Sequence, residues 1–451
     1  MHRRTFLARS AALGAAASTP LLAPAGAAPG PRRDDKVRIA LVGCGGMGNA
    51  RLRDVVRLAD FEVVALCDPD PRQFERSMTL IKNAQRDTAS VKTYEDYRKM
   101  YGDLKDPDPV VIGTPDHHHA PATIAACHAG KNGGGLDVLC EKPLSHNIVE
   151  GRRMVEAVQR QKRVCQVGTQ QRSGKHFQSA VAYVQSGKLG HVYLCRTWIT
   201  NNTAPAGCGT PPDVASPPAG VNYDLWLGPA PVRRFNPARF HGNFRWFQDY
   251  GNGLCNDWGV HLNDIILWAM KVEAPLAVAA TGGKFEMQDN SDTPDTLDIT
   301  YEYPGFIHIY TVRRGRVHGG FGGRGHGMEF VGTKGTLTLD RGGWVVTPAP
   351  DSDLEPARSG GSDQDWPHVQ NFLACIRSRE TPASGIEATH RATSTCHLAN
   401  ISYKTGHKIF WDAANERCYR GYDPVKKQFV HEDTEANAYL FREPRPGWRM
   451  E

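Results

Sequence analysis

A glycine-rich segment followed at a fixed distance by an acid is the clearest chemical pattern in this chain. Residues 43–48 read GCGGMG and follow the apolar run 37–42. Between a buried strand and a helix, G-x-G-x-x-G permits a tight turn, close approach of the backbone to a pyrophosphate, and close packing of helix on strand. The helix that opens there presents free N–H groups and a positive partial charge to the phosphates. Asp68 comes 20 residues after Gly48, where its carboxylate accepts hydrogen bonds from ribose hydroxyls and repels a 2′-phosphate. The pattern therefore predicts NAD rather than NADP.

Three further residues have the chemistry needed to handle the proton of a hydroxyl group. Asp257 and His261 are four positions apart, so on one helix they share a face. A carboxylate beside an imidazole orients the ring and brings its pKa close to neutrality. The ammonium of Lys142 could stabilise an alkoxide as the hydroxyl loses its proton. The alternative is that Asp257 and His261 form only a structural pair on a helix surface.

These residues need elements to position them, and the first half of the chain alternates strands with helices. Apolar strand-like runs are 37–42, 62–67, 109–113, 137–140 and 163–167. The expected helices are one that follows the glycine turn and ends near Leu58, and two more at 120–130 and 147–162. This alternation is typical of a doubly wound parallel sheet, which here is a Rossmann domain over residues 36–168.

Longer alternating segments follow, such as 191–198 and 296–303, and a Lys334-Gly335 turn separates two strand-like runs. They predict a substrate-binding α+β domain over 169–412 with a large, open, mostly antiparallel sheet. A late helix is expected at 386–405. Residues 413–451 read as a loop-rich tail.

The N-terminus has the layout of an export signal over residues 1–27, with a linker at 28–35. Arg3-Arg4-Thr5-Phe6-Leu7 resembles a twin-arginine motif, although His2 and Ala8 depart from it. This predicts export by the Tat machinery to the periplasm or beyond. The alternatives are a Sec signal with an accidental Arg-Arg pair, or a disordered tail.

Composition excludes several classes of function. The net charge is +6, and it falls to +3 once the three arginines of the signal are removed, which is too weak a charge for nucleic-acid binding. No apolar run is long enough for a stable membrane insertion. The 11 cysteines form no C-x-x-C pair, and adjacent side chains such as those of 117–119 do not converge on one ion, so no metal is expected.

Two motifs together resemble the Gfo/Idh/MocA oxidoreductases, which include glucose–fructose oxidoreductase and inositol dehydrogenase. One is Glu141-Lys142-Pro143 after a strand, and the other is the glycine-led D-x-x-x-H segment within 251–264. The resemblance covers about 36–412 and implies that Lys142 reaches the nicotinamide and the reacting oxygen. It also implies that His261 is the general acid/base, assisted by Asp257.

The pattern and the resemblance together give three sets of site residues. The catalytic set is Lys142, His261 and Asp257. The cofactor set is Gly43, Gly45, Gly46, Met47, Gly48, Asp68, Thr114, Pro115, His119, Glu141, Lys142 and Gln170. The substrate set is Lys142, Arg172, Trp246, Asp257 and His261. His119 could instead cap a helix, and Trp246, like its aromatic neighbours, could instead belong to the core.

Three functions remain open at this point. The first is an NAD-dependent oxidoreductase that moves a hydride to or from a carbohydrate or polyol, with a tightly bound cofactor if the net reaction is redox-neutral. The second is an NAD-dependent glycosidase or lyase that acts by oxidation and elimination. The third is a non-catalytic dinucleotide-binding protein. The resemblance is compatible with a homodimer or a homotetramer.

Overall fold

The computed structural model describes most of the chain after the predicted export signal. The described residues are 36–59, 61–104, 108–130, 133–316, 321–448 and 450. The predicted signal peptide and linker lie outside them.

The first sheet is built from six parallel strands. They are β1 (Val37–Val42), β2 (Phe61–Cys67), β3 (Lys92–Tyr94), β4 (Val110–Ile112), β5 (Val138–Cys140) and β6 (Cys165–Val167). Their order in the sheet is β3-β2-β1-β4-β5-β6, which is that of a doubly wound Rossmann fold. Strands β4 and β5 are buried along their whole length, as expected of a parallel sheet covered on both faces. The predicted Rossmann fold is confirmed.

Helices connect these strands. They are α1 (Gly46–Val55), α2 (Phe74–Asn83), α3 (Tyr97–Asp103), α4 (His119–His128) and α5 (Ile148–Arg160). Helix α1 ends before the predicted residue 58. The start of α5 is fixed by Asn147, whose side-chain oxygen accepts a hydrogen bond from the backbone N–H of Glu150 at 3.0 Å.

The second sheet has eleven strands. They are β7 (Val192–Asn202), β8 (Ala277–Gly283), β9 (Thr296–Tyr303), β10 (Phe306–Gly315), β11 (His326–Gly332), β12 (Gly335–Asp340), β13 (Gly343–Pro348), β14 (Ala357–Gly360), β15 (Ile409–Asp412), β16 (Arg417–Asp423) and β17 (Gln428–Glu432). Their order is β14-β13-β12-β11-β7-β10-β9-β8-β15-β16-β17. The β7–β10 pair is parallel, whereas the other strand pairs with an assigned register are antiparallel. The expected large, mostly antiparallel sheet is therefore confirmed.

One face of this sheet carries the larger core. Every second residue of β9 is buried, so its alternating sequence turns Leu297, Ile299 and Tyr301 toward the helices. The remaining helices are α6 (Lys175–Gln185), α7 (Tyr223–Leu227), α8 (Gly253–Asp257), α9 (Gly259–Met270), α10 (Asp365–Ser378), α11 (Ile386–Thr405) and α12 (Thr434–Ala438). Among the helices of the described residues, none combines the length and apolar character that a membrane crossing requires.

The C-terminal part of the chain is more structured than the sequence predicted. Residues 413–451 contain β16, β17 and α12, so they extend the second sheet at one edge instead of forming only loops. Trp448 packs in the core of the parallel sheet. Val369 and Phe372 of α10 pack against the other face of that sheet, beside Ile39 and Leu41. The Rossmann fold therefore draws on chain segments far beyond residue 168.

Candidate active site

The glycine loop after β1 has the geometry that a pyrophosphate needs. Gly43 adopts φ +86°, and a Cβ there would lie 2.7 Å from the backbone of Gly113. A Cβ on Gly48 would lie 1.8 Å from the Gly43 carbonyl oxygen, which explains why α1 can pack so closely on the loop. Gly45 and Gly46 instead have open space where a Cβ would be. Their backbone is thus free to approach a ligand.

Asp68 lies at the end of β2 and is held in place by this loop. One carboxylate oxygen accepts a hydrogen bond from the backbone N–H of Cys44 at 2.8 Å, and the other accepts one from Asp70 at 2.9 Å. Burial raises the pKa of Asp68 to about 7, although both N–H donors work in the opposite direction. A ribose hydroxyl that donates to the remaining lone pairs would further favour the charged form.

A cavity of about 490 Å³ runs along the carboxyl ends of the parallel strands. Sequence-predicted residues that line it are Gly43, Gly45, Gly46, Met47, Asp68, Thr114, Pro115, Glu141 and Lys142. This is the edge at which doubly wound sheets bind dinucleotides, and the volume is in the range of cofactor pockets. The open glycine backbone, the α1 N-terminus and Asp68 fit an NAD molecule.

Side chains from outside the parallel sheet also line this cavity, and all but Leu225 are aromatic or basic. They are Leu225, Trp226, His241, Phe244, Arg245 and Trp448. The sequence analysis had not identified Trp448 as a cavity residue. Its ring centroid lies 5.4 Å from that of His118, and Arg98 stacks on it at 4.3 Å.

Glu141 is fixed by a buried arginine. The Arg51 guanidinium donates to Glu141 at 2.6 Å and to Asp365 of α10 at 2.8 Å. A Cβ at Gly168 would lie 2.6 Å from the Glu141 carboxylate, so only glycine leaves room for it. Because Glu141 precedes Lys142, this network sets where the lysine backbone lies.

Lys142 reaches from the loop after β5 to the end of α8. Its Nζ donates to a carboxylate oxygen of Asp257 at 2.8 Å and to the Asp257 backbone carbonyl at 2.6 Å. Arg245 donates to the same carboxylate oxygen at 3.1 Å. Burial alone would raise the pKa of Asp257, but the two cations outweigh it and lower the pKa to about 2. Asp257 is therefore a permanent anion that holds an ammonium at the cavity wall.

This arrangement corrects the expected pairing of Asp257 with His261. Asp257 ends α8, and Trp258 separates it from α9, so the two residues do not share a continuous helix. His261 is buried, and its Nδ1 has no hydrogen-bond partner among the described residues. Burial, together with the charges of Lys142 and Arg341, lowers the pKa of His261 well below its usual value. The ring is therefore neutral near pH 7 and able to accept a proton.

The three consecutive histidines join loops together. His119 has its ring nitrogens 2.6 Å from the Pro143 carbonyl oxygen and 3.0 Å from that of Thr114, so it ties the loops after β4 and β5. It makes no side-chain cap of α4, and it does not line the cavity. His117 and His118 both contact the Trp226 carbonyl oxygen. Within the described residues, no group of His, Cys, Asp and Glu side chains could hold a metal ion.

Several predicted ligand contacts do not line the cavity. Asp257 and His261 are among them, and three others are engaged elsewhere or buried away from it. Arg172 is bonded to Asp264 through two nitrogens at 2.7 Å, so its guanidinium is already occupied. Trp246 lies beneath the Arg314 guanidinium at 4.1 Å and packs against the core, which favours its structural role. Gln170 is buried and does not line the cavity. Sequence proximity to the cofactor domain was not enough to place these side chains at the site.

Sequence profiles of known families match both halves of the chain. Residues 37–169 match the oxidoreductase family with an NAD-binding Rossmann fold, and residues 210–313 match the C-terminal α/β domain of the same family. Together these matches span more than half of the chain. The chain belongs to the Gfo/Idh/MocA family.

Curated relatives share only part of their length with this Gfo/Idh/MocA protein. A glycosyl hydrolase family 109 protein of Stenotrophomonas maltophilia is 38% identical over 29% of this chain and 28% of its own length. Inositol 2-dehydrogenase 4 of Saccharopolyspora erythraea is 32% identical over 38% of this chain and 48% of its own. The chain thus spans less than half of the length of either relative.

Solved structures resemble it over a longer range. The aldose-aldose oxidoreductase of Caulobacter crescentus, solved with glycerol, has a TM-score of 0.62 at 16% identity and covers 83% of this chain and 99% of its own. A levoglucosan dehydrogenase in complex with NADH and levoglucosan has a TM-score of 0.62 at 18% identity, with the same coverage. At such identities the likeness shows a shared fold.

The cavity also contains an acid that the sequence analysis did not single out. Asp116 is buried among the cavity-lining residues of the loop after β4. Burial and nearby Asp257 raise its pKa to about 7, while Arg245 and Lys142 oppose the rise. Its position directly after Thr114 and Pro115, which were predicted to contact the cofactor, was the available signal.

We predict that the imidazole of His261 stays neutral on acidification through pH 6.5, because burial and two nearby cations disfavour a second proton. A histidine NMR titration would measure this, with the His261 signal identified by its loss in His261→Asn and free histidine as an internal reference. The expected midpoint is well below that of free histidine. A midpoint at or above 6.5 would contradict the assigned environment.

Proposed function

We propose that this protein is an NAD-dependent oxidoreductase that transfers a hydride to or from a hydroxyl-bearing carbon of a carbohydrate or polyol. The observation that carries the proposal is the ammonium of Lys142, which lies at the wall of the dinucleotide cavity and is held there by Asp257. The nicotinamide, when bound, supplies the redox chemistry. The protein's own residues then have to bind the sugar and move one proton.

Lys142 would donate a hydrogen bond to the reacting oxygen. A charged ammonium in a water-poor site stabilises the negative charge that develops as a hydroxyl group loses its proton. Asp257 orients the lysine, and Arg245 shares the Asp257 carboxylate so that this partly buried anion is fully paired.

His261 would act as the proton acceptor in the oxidation direction. A neutral imidazole can take a proton, and the lowered pKa of His261 keeps it neutral before the reaction. The cations that depress this pKa also favour return of the proton when the reaction runs in reverse.

Asp68 supports NAD over NADP. Its carboxylate faces the cavity while both oxygens are anchored by backbone N–H groups, so a 2′-phosphate would meet a buried carboxylate. Structures of levoglucosan dehydrogenase with NADH are consistent with this choice for a protein of the same fold.

A glycosidase that uses NAD catalytically is the second candidate. It is favoured by the 38% identity to a glycosyl hydrolase family 109 protein over the matched 135 residues. The segment Glu141-Lys142-Pro143 is one of the two motifs by which this chain resembles sugar oxidoreductases such as inositol dehydrogenase, and it therefore favours the first candidate. Release of free sugar from an aryl glycoside, with no net change in NADH, would identify the glycosidase.

Export from the cytoplasm would require the protein to keep its cofactor bound. Arg3-Arg4-Thr5-Phe6-Leu7 suggests that the protein leaves the cytoplasm already folded, and free NAD is scarce outside. We propose that NAD is bound before export and retained beneath the side chains that cover the cavity, with a redox-neutral net reaction or a second acceptor that restores the cofactor in place.

Replacing Lys142 with Met should remove turnover and leave NAD binding largely intact. Loss of a group that handles the developing charge costs about 10²–10³ in rate. Steady-state rates, with fluorescence titration of NAD, would measure both effects. Lys82→Met, at an exposed position on α2, is the matched control and should behave as wild type. Activity of Lys142→Met within a few-fold of wild type would refute the assignment of Lys142.

Protein isolated from the periplasm and dialysed should release close to one equivalent of NAD, and little NADP, when denatured. Enclosure by Trp226, Phe244 and Trp448 is the physical reason for slow release. Mass spectrometry of the supernatant identifies and counts the nucleotide. Apo protein that regains activity at once with micromolar NAD would overturn retention, and export that survives Arg3-Arg4→Lys-Lys but needs Sec would overturn the folded route.

A further inference from the structure

A second group of polar side chains surrounds Trp258, the residue between α8 and α9. The Arg341 guanidinium stacks on the indole at 4.6 Å. The ring centroid of His326 lies 4.7 Å from that of Trp258, and the centroid of His261 lies 5.9 Å away. Arg341 comes from the β12–β13 turn and His326 from the start of β11. The second sheet therefore brings two basic side chains next to the proposed proton acceptor.

The side chain of Arg341 makes no ion pair or hydrogen bond with the described residues. Its side chain is partly buried, its Nε is fully shielded from solvent, and no described residue accepts a hydrogen bond from it or pairs with it. Burial lowers the pKa of Arg341, and nearby Arg51 lowers it further, in opposition to Asp365 and Asp257. Arginines that lose contact with water are ordinarily paired, because an uncompensated charge is costly.

The neighbouring carboxylates are engaged with other cations. Asp257 is shared by Lys142 and Arg245, as described above. Asp365 accepts from Arg51 at 2.8 Å. Asp340, next to Arg341 in the chain, pairs with Arg324. The N–H donors of the Arg341 guanidinium are therefore available to a ligand.

Two imidazole nitrogens beside Arg341 are also unpartnered. Nδ1 of His261 and Nε2 of His326 are buried and have no hydrogen-bond partner among the described residues. Together with Nε of Arg341 they are unsatisfied polar groups around one indole, which a polar ligand could satisfy. None of Arg341, His326 and Trp258 lines the dinucleotide cavity, so they are separate from the glycine loop and its phosphate-binding backbone.

We propose that Arg341, His326 and Trp258 form a subsite for an anionic substituent of the sugar, a carboxylate or a sulfate ester. This inference rests on the proposed function and narrows its substrate class to acidic sugars. A guanidinium presents a planar fork of N–H donors that matches two oxygens of such a group, and stacking on the indole fixes the plane of that fork. His326 would add a third donor. His261, which packs against the same indole, would lie near the bound sugar.

Binding of matched pairs of neutral and acidic sugars tests the subsite directly. NAD-loaded protein is titrated calorimetrically with glucose against glucuronate, and with galactose against galacturonate. Glucose 6-sulfate distinguishes a sulfate from a carboxylate. Wild type should bind at least one acidic member about 10-fold or more tightly than its neutral counterpart. The same order should hold in kcat/KM wherever turnover is observed.

Variants assign the preference to residues. Arg341→Gln should lower affinity for the acidic sugar by about 10- to 100-fold and leave the neutral sugar within a few-fold. The affinity of Arg341→Lys for the acidic sugar should lie between that of wild type and that of Arg341→Gln. Lysine keeps the positive charge but lacks the planar fork of N–H donors. His326→Gln should lower affinity for the acidic sugar by a smaller factor. Arg196→Gln removes the same charge from an exposed position on β7 and should have no effect. Thermal unfolding of each variant identifies any that fail to fold, in which case the Lys and His326 variants carry the test.

Equal affinity of wild type for neutral and acidic sugars would overturn the subsite, as would an Arg341→Gln variant that loses both equally. Neither result affects the proposed oxidoreductase if a neutral sugar reduces NAD. An Arg341-dependent preference without any turnover supports the subsite and counts against the proposed reaction. The two ideas can therefore fail separately.

Discussion

The ion pair between Lys142 and Asp257 connects the two halves of this protein. Lys142 belongs to the loop after β5 of the parallel sheet, and Asp257 ends a helix that packs beneath the second sheet, so their 2.8 Å contact forms only when the halves are assembled. Arg245 completes the pair and brings the aromatic turn at 244 over the cavity. Because these charges are largely removed from water, loss of any one leaves the others uncompensated. The contact therefore holds the loop of Lys142, the end of α8 and the turn of Arg245 together at the cavity.

A second group of buried ion pairs, centred on Arg51, supports the Lys142 loop. Arg51 on α1 bonds Glu141 of the β5 loop and Asp365 of α10. The glycine loop at one end of α1, the Glu141-Lys142 segment and a helix from late in the chain are thus linked by one guanidinium. Arg341 lies near these pairs, and its side chain has no ion-pair partner among the described residues. Burial lowers the pKa of His261, and the nearby charges of Lys142 and Arg341 lower it further; Arg341 is also the residue to which we assign the affinity for an acidic sugar.

Sequence patterns predicted the parts of the fold that depend on local spacing. The glycine loop, Asp68 at the end of β2, the alternation along β9 and the pairing of Met328 with Leu339 across the predicted hairpin all follow from short-range periodicity. Which partner a charged side chain selects was harder to predict. Asp257 was expected to turn to His261, four residues away, but it bonds Lys142, which is 115 residues away in the chain.

Contacts between distant parts of the chain also explain the other differences between the predicted and the observed site. Arg172 is occupied by Asp264, 92 residues later, and Trp448 joins a cavity that begins at residue 42. Arg341 lies in an ordinary hairpin turn with no motif around it, and only its position over Trp258 distinguishes it. Tertiary contacts of this kind are set by how whole elements pack, which a pattern within one element does not contain.

Transfer of deuterium from sugar to cofactor tests the central claim most directly. The protein with bound NAD, and with no second acceptor present, is mixed with an acidic sugar that carries deuterium on its ring carbons. It is denatured at successive times within the first turnover, before the label can be passed on, and the nicotinamide is analysed by mass spectrometry. We expect one deuterium atom to appear on the nicotinamide ring in wild type. We expect this transfer to be lost in His261→Asn. Cofactor that stays free of deuterium after exposure to a panel of labelled acidic and neutral sugars, or labelling that is unchanged in His261→Asn, would contradict it.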